Sequence, residues 1–173
     1  MYNKIKKFDA NKTNPFFESL VTNIQVGNKN IIAGSSNKLL VNKDTGEVEA
    51  HTVFMKNQKV DKNSFIKIYV KNISQFFDLP SSAMKVLWYI FSITRIGIDT
   101  IYFDMTACKE FTKYSSKATI TNALAQLIEH KFIARSTSVN LYFINPTIFF
   151  NGNRISFINS YYKEKESLGE LDS

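Results

Sequence analysis

The stretch of sequence that decides the fold is Asp104–Ile144, DMTACKEFTKYSSKATITNALAQLIEHKFIARSTSVNLYFI. Apolar residues recur at helical spacing on both sides of a break near Tyr114, whereas those after Lys131 alternate with polar residues as in strands. We therefore predict a helix, a tight turn, a second helix and a two-stranded hairpin with the polar tip Ser136–Thr137–Ser138. This is the order of elements in a winged helix.

The second helix has the clearest pattern. Ser115 or Ser116 is expected to cap it, because a serine oxygen at that position accepts a hydrogen bond from a first-turn amide. An apolar stripe at helical spacing is expected to face the core, namely Ile120, Leu124, Leu127 and Ile128. The opposite face has hydrogen-bonding side chains and almost no acids: Ser116, Lys117, Thr119, Thr121, Asn122 and Gln126.

The elements before this helix complete the predicted domain. Asp104 is expected to cap the first helix, Met105–Lys113, whose buried stripe would be Met105, Cys108 and Phe111. A strand is expected over Thr100–Phe103. Two further helices are expected upstream: one from Asn63 or Ser64 to Phe77, and one over Ser82–Thr94 with Ser81 as its cap. The second is so apolar that we predict it to be buried nearly all round, with Trp88 against the Ile120–Leu124–Leu127 stripe.

The whole chain is expected to be an α+β protein, a winged helix-turn-helix domain with an N-terminal β-hairpin extension. Residues 1–37 are expected to contribute little to the core, because their apolar pieces are short. Residues 38–62 contain a hairpin signal, Leu39–Ala50, with turn residues Asp44 and Gly46, and His51–Lys59 could continue as a strand. The winged helix would occupy 63–152. Residues 153–173 form a C-terminal segment with an acidic tail, whose aromatics Phe157, Tyr161 and Tyr162 could dock on the domain or form a dimer seam.

Composition excludes several classes of function. The single cysteine and two distant histidines provide no cysteine-cluster zinc site and no metal-binding histidine pair, which a rolling-circle nickase would need. No glycine-rich phosphate loop followed by lysine and serine or threonine is present. We expect a cytoplasmic protein that is not an enzyme, holds no cofactor or metal and spans no membrane. The net charge of +7 favours a polyanionic partner.

A family resemblance covers about residues 39–165. Its most specific residues are Thr45–Gly46–Glu47 in the early hairpin, and Asn145–Pro146 with Phe149–Phe150 and Gly152 after the late one. Further matching residues are Asp44, Val48, Phe65–Ile66–Lys67, Tyr69, Lys85–Val86, Tyr89–Ile90, Ser116–Ile120, Leu124, Leu127 and Ile133–Arg135. In these the chain resembles the RepL-type replication initiators of small bacterial plasmids, which have relatives in phages. The resemblance implies a DNA-binding initiator that acts in the cytoplasm of a bacterium or a phage-infected bacterium.

The residues expected to bind DNA lie on the second helix and the hairpin. They are Ser115, Ser116, Lys117, Thr119, Thr121, Asn122, Gln126, Arg135, Thr137 and Ser138. A helix fits a major groove, where lysine, threonine and asparagine reach phosphates and base edges. Two alternatives stay open: this face could be merely solvated, and Arg135 could pair with Glu129 instead of contacting a phosphate.

Three functions are consistent with the sequence. The first is a replication initiator that recognises double-stranded origin DNA, with host replication proteins and a homodimer as further partners considered. The second is a transcriptional regulator with the same winged helix, and the third is a winged-helix protein–protein interaction module. The third would show no salt-dependent retention on duplex DNA, which separates it from the first two.

Overall fold

The structure, a computed structural model, describes residues 3–24 and 65–167, which belong to one compact unit of mixed α+β architecture. The hairpin expected over Leu39–Ala50 and the strand considered over His51–Lys59 lie outside these residues. No helix in the described part of the chain is both long and apolar enough to cross a membrane.

The described chain contains helices and short strands. The helices are α1 (Asn3–Lys6), α2 (Phe17–Asn23), α3 (Ser81–Ile93), α4 (Met105–Thr112), α5 (Lys117–Glu129) and α6 (Arg154–Ser167), with a 3-10 helix over Val70–Phe76. The strands are β1 (Ala10–Asn11), β2 (Lys67–Ile68), β3 (Thr100–Tyr102), β4 (Ile133–Ser136), β5 (Leu141–Ile144) and β6 (Phe149–Phe150).

The larger sheet has the strand order β1-β4-β5-β3. Strands β4 and β5 form the predicted antiparallel hairpin, with Ile133 opposite Ile144. The strand predicted near Thr100 is confirmed and pairs antiparallel with β5. At the other side, β1 runs parallel to β4, a pairing that the sequence did not indicate. The N-terminus is therefore built into the sheet that contains the hairpin.

The prediction of a helix from Asn63 or Ser64 to Phe77 is wrong for residues 65–69, although a 3-10 helix does form over Val70–Phe76. Lys67 and Ile68 form β2, which pairs antiparallel with β6, and the Tyr69 amide donates to the Ile148 carbonyl over 3.0 Å. Only Phe76 of the following 3-10 helix is buried. The backbone pairing with residues far along the chain outweighs the local helical spacing here.

Helix α3 forms where expected, but it is not buried all round. Its inner stripe lies in the core, and includes Ala83, Val86, Leu87 and Ile90. On the outer side Trp88 is 49% exposed and packs edge-on against Phe91. The predicted burial of Trp88 is therefore wrong. Pro80, not Ser81, occupies the N-cap position.

Helix α4 is capped as predicted. Asp104 Oδ1 accepts hydrogen bonds from the amides of Thr106 and Ala107 over 2.7 and 3.0 Å. Cys108 is fully buried, as expected, whereas Phe111 is exposed, so that part of the predicted stripe is wrong. Burial raises the pKa of the Cys108 thiol to about 11, so the reactive thiolate is scarce at neutral pH.

The motif after the hairpin shapes two turns. The Asn145 side chain is buried; its Nδ2 donates to the Lys131 carbonyl over 2.8 Å, and its Oδ1 accepts from the Thr147 amide over 3.0 Å. Gly152 has a φ of +121°, and a Cβ there would lie 3.1 Å from the Gly97 nitrogen. Asparagine and glycine at these positions therefore have specific backbone tasks.

The N-terminal segment 3–24 is integral to the unit. Phe17 and Leu20 of α2 are buried, Leu20 to 1% exposure. Asn14 is buried too, and its Nδ2 donates to the Ile144 carbonyl over 3.0 Å and to Asp99 Oδ2 over 2.8 Å. The expectation that residues 1–37 contribute little to the core is therefore wrong for 3–24, because their short apolar pieces are gathered by tertiary contacts.

The C-terminal aromatics dock on the same chain. The Tyr161 ring stacks on Phe17 with centroids 3.8 Å apart, and Phe157 meets Phe17 edge-on at 5.9 Å. Tyr162 is the third ring around Phe17, at 5.7 Å. Of the two alternatives for these aromatics, docking on the domain is the one observed.

Asp99 makes the stability of this arrangement depend on pH. Burial raises its pKa from the usual 3.8, against the lowering effect of the Asn14 hydrogen bond. The stability that this carboxyl contributes is thus fully present below pH 3.8 and is lost as pH rises through the higher pKa of the folded state.

The melting temperature of Asp99→Asn should therefore increase relative to that of the wild type as pH rises through this window. Thermal melts at several pH values measure this, with exposed Asp78→Asn as the control; a pH-independent difference would contradict it.

Candidate nucleic-acid interface

Helix α5 combines a buried stripe with an exposed face. The predicted inward residues Ile120, Leu124, Leu127 and Ile128 are all buried, and α5 packs against both α3 and α4. Since the stripe is held on more than one side, the opposite face of α5 has a defined orientation. The predicted helix and its stripe are confirmed.

The start of α5 differs in one respect from the expectation. Ser116 occupies the N-cap position with extended backbone angles, but its side chain makes no capping hydrogen bond. The predicted position of the serine cap is thus confirmed, whereas its predicted hydrogen bond is wrong. Ser115 and Ser116 are both exposed, next to Lys117 in the first turn.

The outer face of α5 presents most of the predicted residues, but not all. Lys117 and Asn122 are exposed, whereas Thr119 and Gln126 are half-buried. Thr121 is buried and its hydroxyl donates to the Lys117 carbonyl over 2.9 Å, so its placement on the outer face is wrong. Helix α1 packs beside α5, and Thr121 lines a small cavity together with Ile5 and Lys6 of that segment.

The hairpin tip is shifted from its predicted position. Ser136 is buried in β4 and not in the tip, which comprises Thr137–Asn140. Val139, expected in the second strand, is 80% exposed at this tip, and Asn140 has a φ of +61°. Asparagine tolerates this left-handed conformation, which reverses the chain before β5. Thr137 and Ser138 remain exposed, as a DNA contact requires.

Arg135 has partners that sequence reasoning did not consider. Its Nη1 donates to the Phe8 carbonyl over 2.6 Å and to the Ile5 carbonyl over 3.3 Å. These acceptors are backbone carbonyls, and not the Glu129 carboxylate considered from the sequence. The guanidinium fastens the N-terminal segment to the hairpin.

A small cavity marks where α1, α5 and the hairpin meet. Its volume is about 300 Å³, and its lining includes Lys6, Lys117, Thr121 and the tip residues Thr137–Asn140. Lys6 was not among the predicted site residues, since residues 1–37 were expected to contribute little to the core. The lysine-rich start of the chain was the feature of the sequence that could have indicated this residue. Lys6 thus lies beside Lys117 of the predicted set.

The chemistry of this surface is that of charge and hydrogen bonding. No carboxylate lies between Ser115 and Gln126, so nothing in that stretch repels a phosphate. Among the described residues there is no group of three or more histidine, cysteine, aspartate or glutamate side chains that could hold a metal ion.

Comparisons with known proteins bear on the chain as a whole. A family profile described as "Firmicute plasmid replication protein (RepL)" matches residues 24–168. A protein of Zymomonas mobilis subsp. mobilis, named "20.9 kDa protein", is 30% identical over 169 residues, which cover 92% of this chain and 91% of the relative. No solved structure matches the chain. The matched range of the profile contains α5 and the hairpin.

Proposed function

Because the chain belongs to the RepL family of Firmicute plasmid replication proteins, we propose that it initiates replication by binding duplex DNA at an origin. In this proposal Asp104–Ile144 acts as a winged helix, with α5 in the major groove and the tip Thr137–Asn140 on the flanking backbone. The protein acts by binding and by recruiting host replication proteins, without catalysing a reaction itself. The family membership confirms the resemblance noted in the sequence.

The observation that carries the proposal is the outer face of α5 beside the exposed tip. Lys117 and Asn122 project from a helix whose other side is buried, so their positions are set by a rigid core. Lysine attracts phosphates regardless of sequence, and asparagine can make paired hydrogen bonds to adenine. The only exposed acid of α5 is Glu129 in its last turn, which accepts a hydrogen bond from Gln126, so the acid-free stretch from Ser115 to Gln126 supports DNA binding over mere solvation.

We propose different roles for some residues of the predicted set. Thr121 is buried, which leaves Asn122 as the residue for reading bases. Arg135 is bound to carbonyls of the N-terminal segment, so we assign it the task of positioning that segment. Ser115, Ser116, Thr119, Gln126, Thr137 and Ser138 complete the proposed interface.

Asn122→Ala is expected to weaken binding to the origin by about 1–3 kcal/mol while leaving binding to unrelated duplex nearly unchanged. Lys117→Ala should weaken binding to both duplexes. It should also reduce the slope of log affinity against log salt by the amount expected for roughly one phosphate contact. Titrations of labelled origin and unrelated duplex at several salt concentrations measure both effects. Lys163→Ala, at an exposed position on α6, is the matched control.

The outcomes separate the three functions considered. A footprint over repeated sites at the origin of the encoding replicon supports initiation, and one confined to a promoter supports transcriptional regulation. If the wild type shows no salt-dependent retention on duplex DNA, the interaction module replaces both.

A further inference from the structure

The N-terminal lysines lie beside the proposed DNA-binding surface. Helix α1 packs against α5, and Lys6 lines the same 300 Å³ cavity as Lys117 and the hairpin tip. Lys4, Lys6 and Lys7 are all exposed. Lys6 therefore lies next to the face of α5 that we assign to DNA, and Lys4 and Lys7 are exposed on the same short segment.

This placement is fixed by contacts along the whole segment. Arg135 holds the carbonyls of Ile5 and Phe8, the second over only 2.6 Å. Further on, the Thr137 amide donates to the Asn11 carbonyl over 2.9 Å, and Asn11 Nδ2 donates to the Arg135 carbonyl over 3.1 Å. The segment that contains the lysines is thus held to β4 and the residue after it by hydrogen bonds.

The side chains of the segment divide into two groups. Ile5 and Phe8 are partly buried and pack against the core, which turns the intervening residues outward. Lys7 keeps its ammonium 4.8 Å from the centroid of the Phe8 ring, where a cation is favoured. The anchors are apolar and the outward residues are cationic, which suits an anionic partner.

We propose that Lys4, Lys6 and Lys7 bind backbone phosphates of the duplex that α5 enters, so that the N-terminal segment is a third DNA contact beside the helix and the hairpin. The inference rests on the proposed function. Lysine binds phosphate as a compact charge without reading a base. The segment therefore supplies affinity and sets how far the footprint extends, whereas Asn122 supplies sequence preference.

The test is a triple variant of the full chain, Lys4→Gln, Lys6→Gln and Lys7→Gln. Its affinity should fall by the same factor for origin and unrelated duplex, because phosphates are shared by all sequences. The slope of log affinity against log salt should decrease by about 0.9 for each phosphate that the variant no longer neutralises. The matched control removes three charges at exposed positions elsewhere: Lys71→Gln, Arg95→Gln and Lys163→Gln. Thermal melts establish that both triples are folded.

Each outcome decides the matter. A loss of affinity and salt slope in the first triple that clearly exceeds that of the control supports the proposal. Equal losses in both triples mean that only total charge matters, and overturn it. An increase in affinity means that the segment obstructs the DNA site, and overturns it too. If the wild type binds no duplex at all, the proposed function itself fails, which differs visibly from a binding wild type and an unchanged triple.

Discussion

Leu20→Ala is expected to lower the free energy of unfolding by about 2–5 kcal/mol, the usual cost of truncating a buried leucine. Leu20 is 1% exposed although it belongs to a seven-residue helix near the N-terminus. Its loss would leave a cavity under α2, because Asn14 and Phe17 hold that helix in place. Urea unfolding followed by circular dichroism measures the change.

Glu18→Ala is the control for Leu20, since Glu18 is exposed on the same helix. It should change the free energy of unfolding by less than about 1 kcal/mol, as is usual for an exposed charge near a helix start. If Leu20→Ala is as mild as this control, the N-terminal segment is not part of the cooperative unit.

Asn145→Ala is the second substitution with a large expected effect. The buried Asn145 amide donates to the Lys131 carbonyl and accepts from the amide and the hydroxyl of Thr147. Because these partners are only part-buried, removing the amide should cost about 1–3 kcal/mol in all. Lys131 has a φ of +60° at the corner between α5 and β4. We therefore expect lower stability and a less well-held angle between the helix and the hairpin.

Asn145→Asp separates the two hydrogen bonds. Aspartate keeps an acceptor for Thr147 but loses the donor to Lys131, and its charge would face a carbonyl oxygen. It should also destabilise the protein, and the loss should shrink at acidic pH, where the carboxyl can again donate. Chemical denaturation at two pH values measures both variants. A change within about 0.5 kcal/mol for Asn145→Ala, the range of ordinary surface substitutions, would contradict the assigned role.

Local patterns in the sequence predicted the elements that depend on local forces. The stripe of α5 and the Asp104 cap of α4 follow from spacing and from a carboxylate near unpaired amides. The region before Phe77 could not be predicted in this way, because β2 exists only through its pairing with Phe149–Phe150. The burial predicted for Trp88 is wrong for another reason. An apolar sequence predicts that a helix is buried, but it does not show on how many sides other elements pack against that helix.

The candidate site was predictable in part. The exposure of Lys117 and Asn122 follows from their positions opposite the stripe. The burial of Thr121 and the contacts of Arg135 do not. Arg135 bonds the N-terminal segment, whose docking depends on contacts between residues more than a hundred positions apart. The lysines of α1 were overlooked for the same reason.

The position of β1 has a consequence for solubility. Its pairing along β4 occupies backbone groups of the hairpin that would otherwise form an open sheet edge, through bonds such as that from the Thr137 amide to the Asn11 carbonyl. Unpaired edges are templates on which other chains add strands and aggregate. Without β1, the backbone groups of β4 at Arg135 and Ser136 would lose this pairing and could accept a strand from another chain. The N-terminal strand thus covers part of an edge of the sheet.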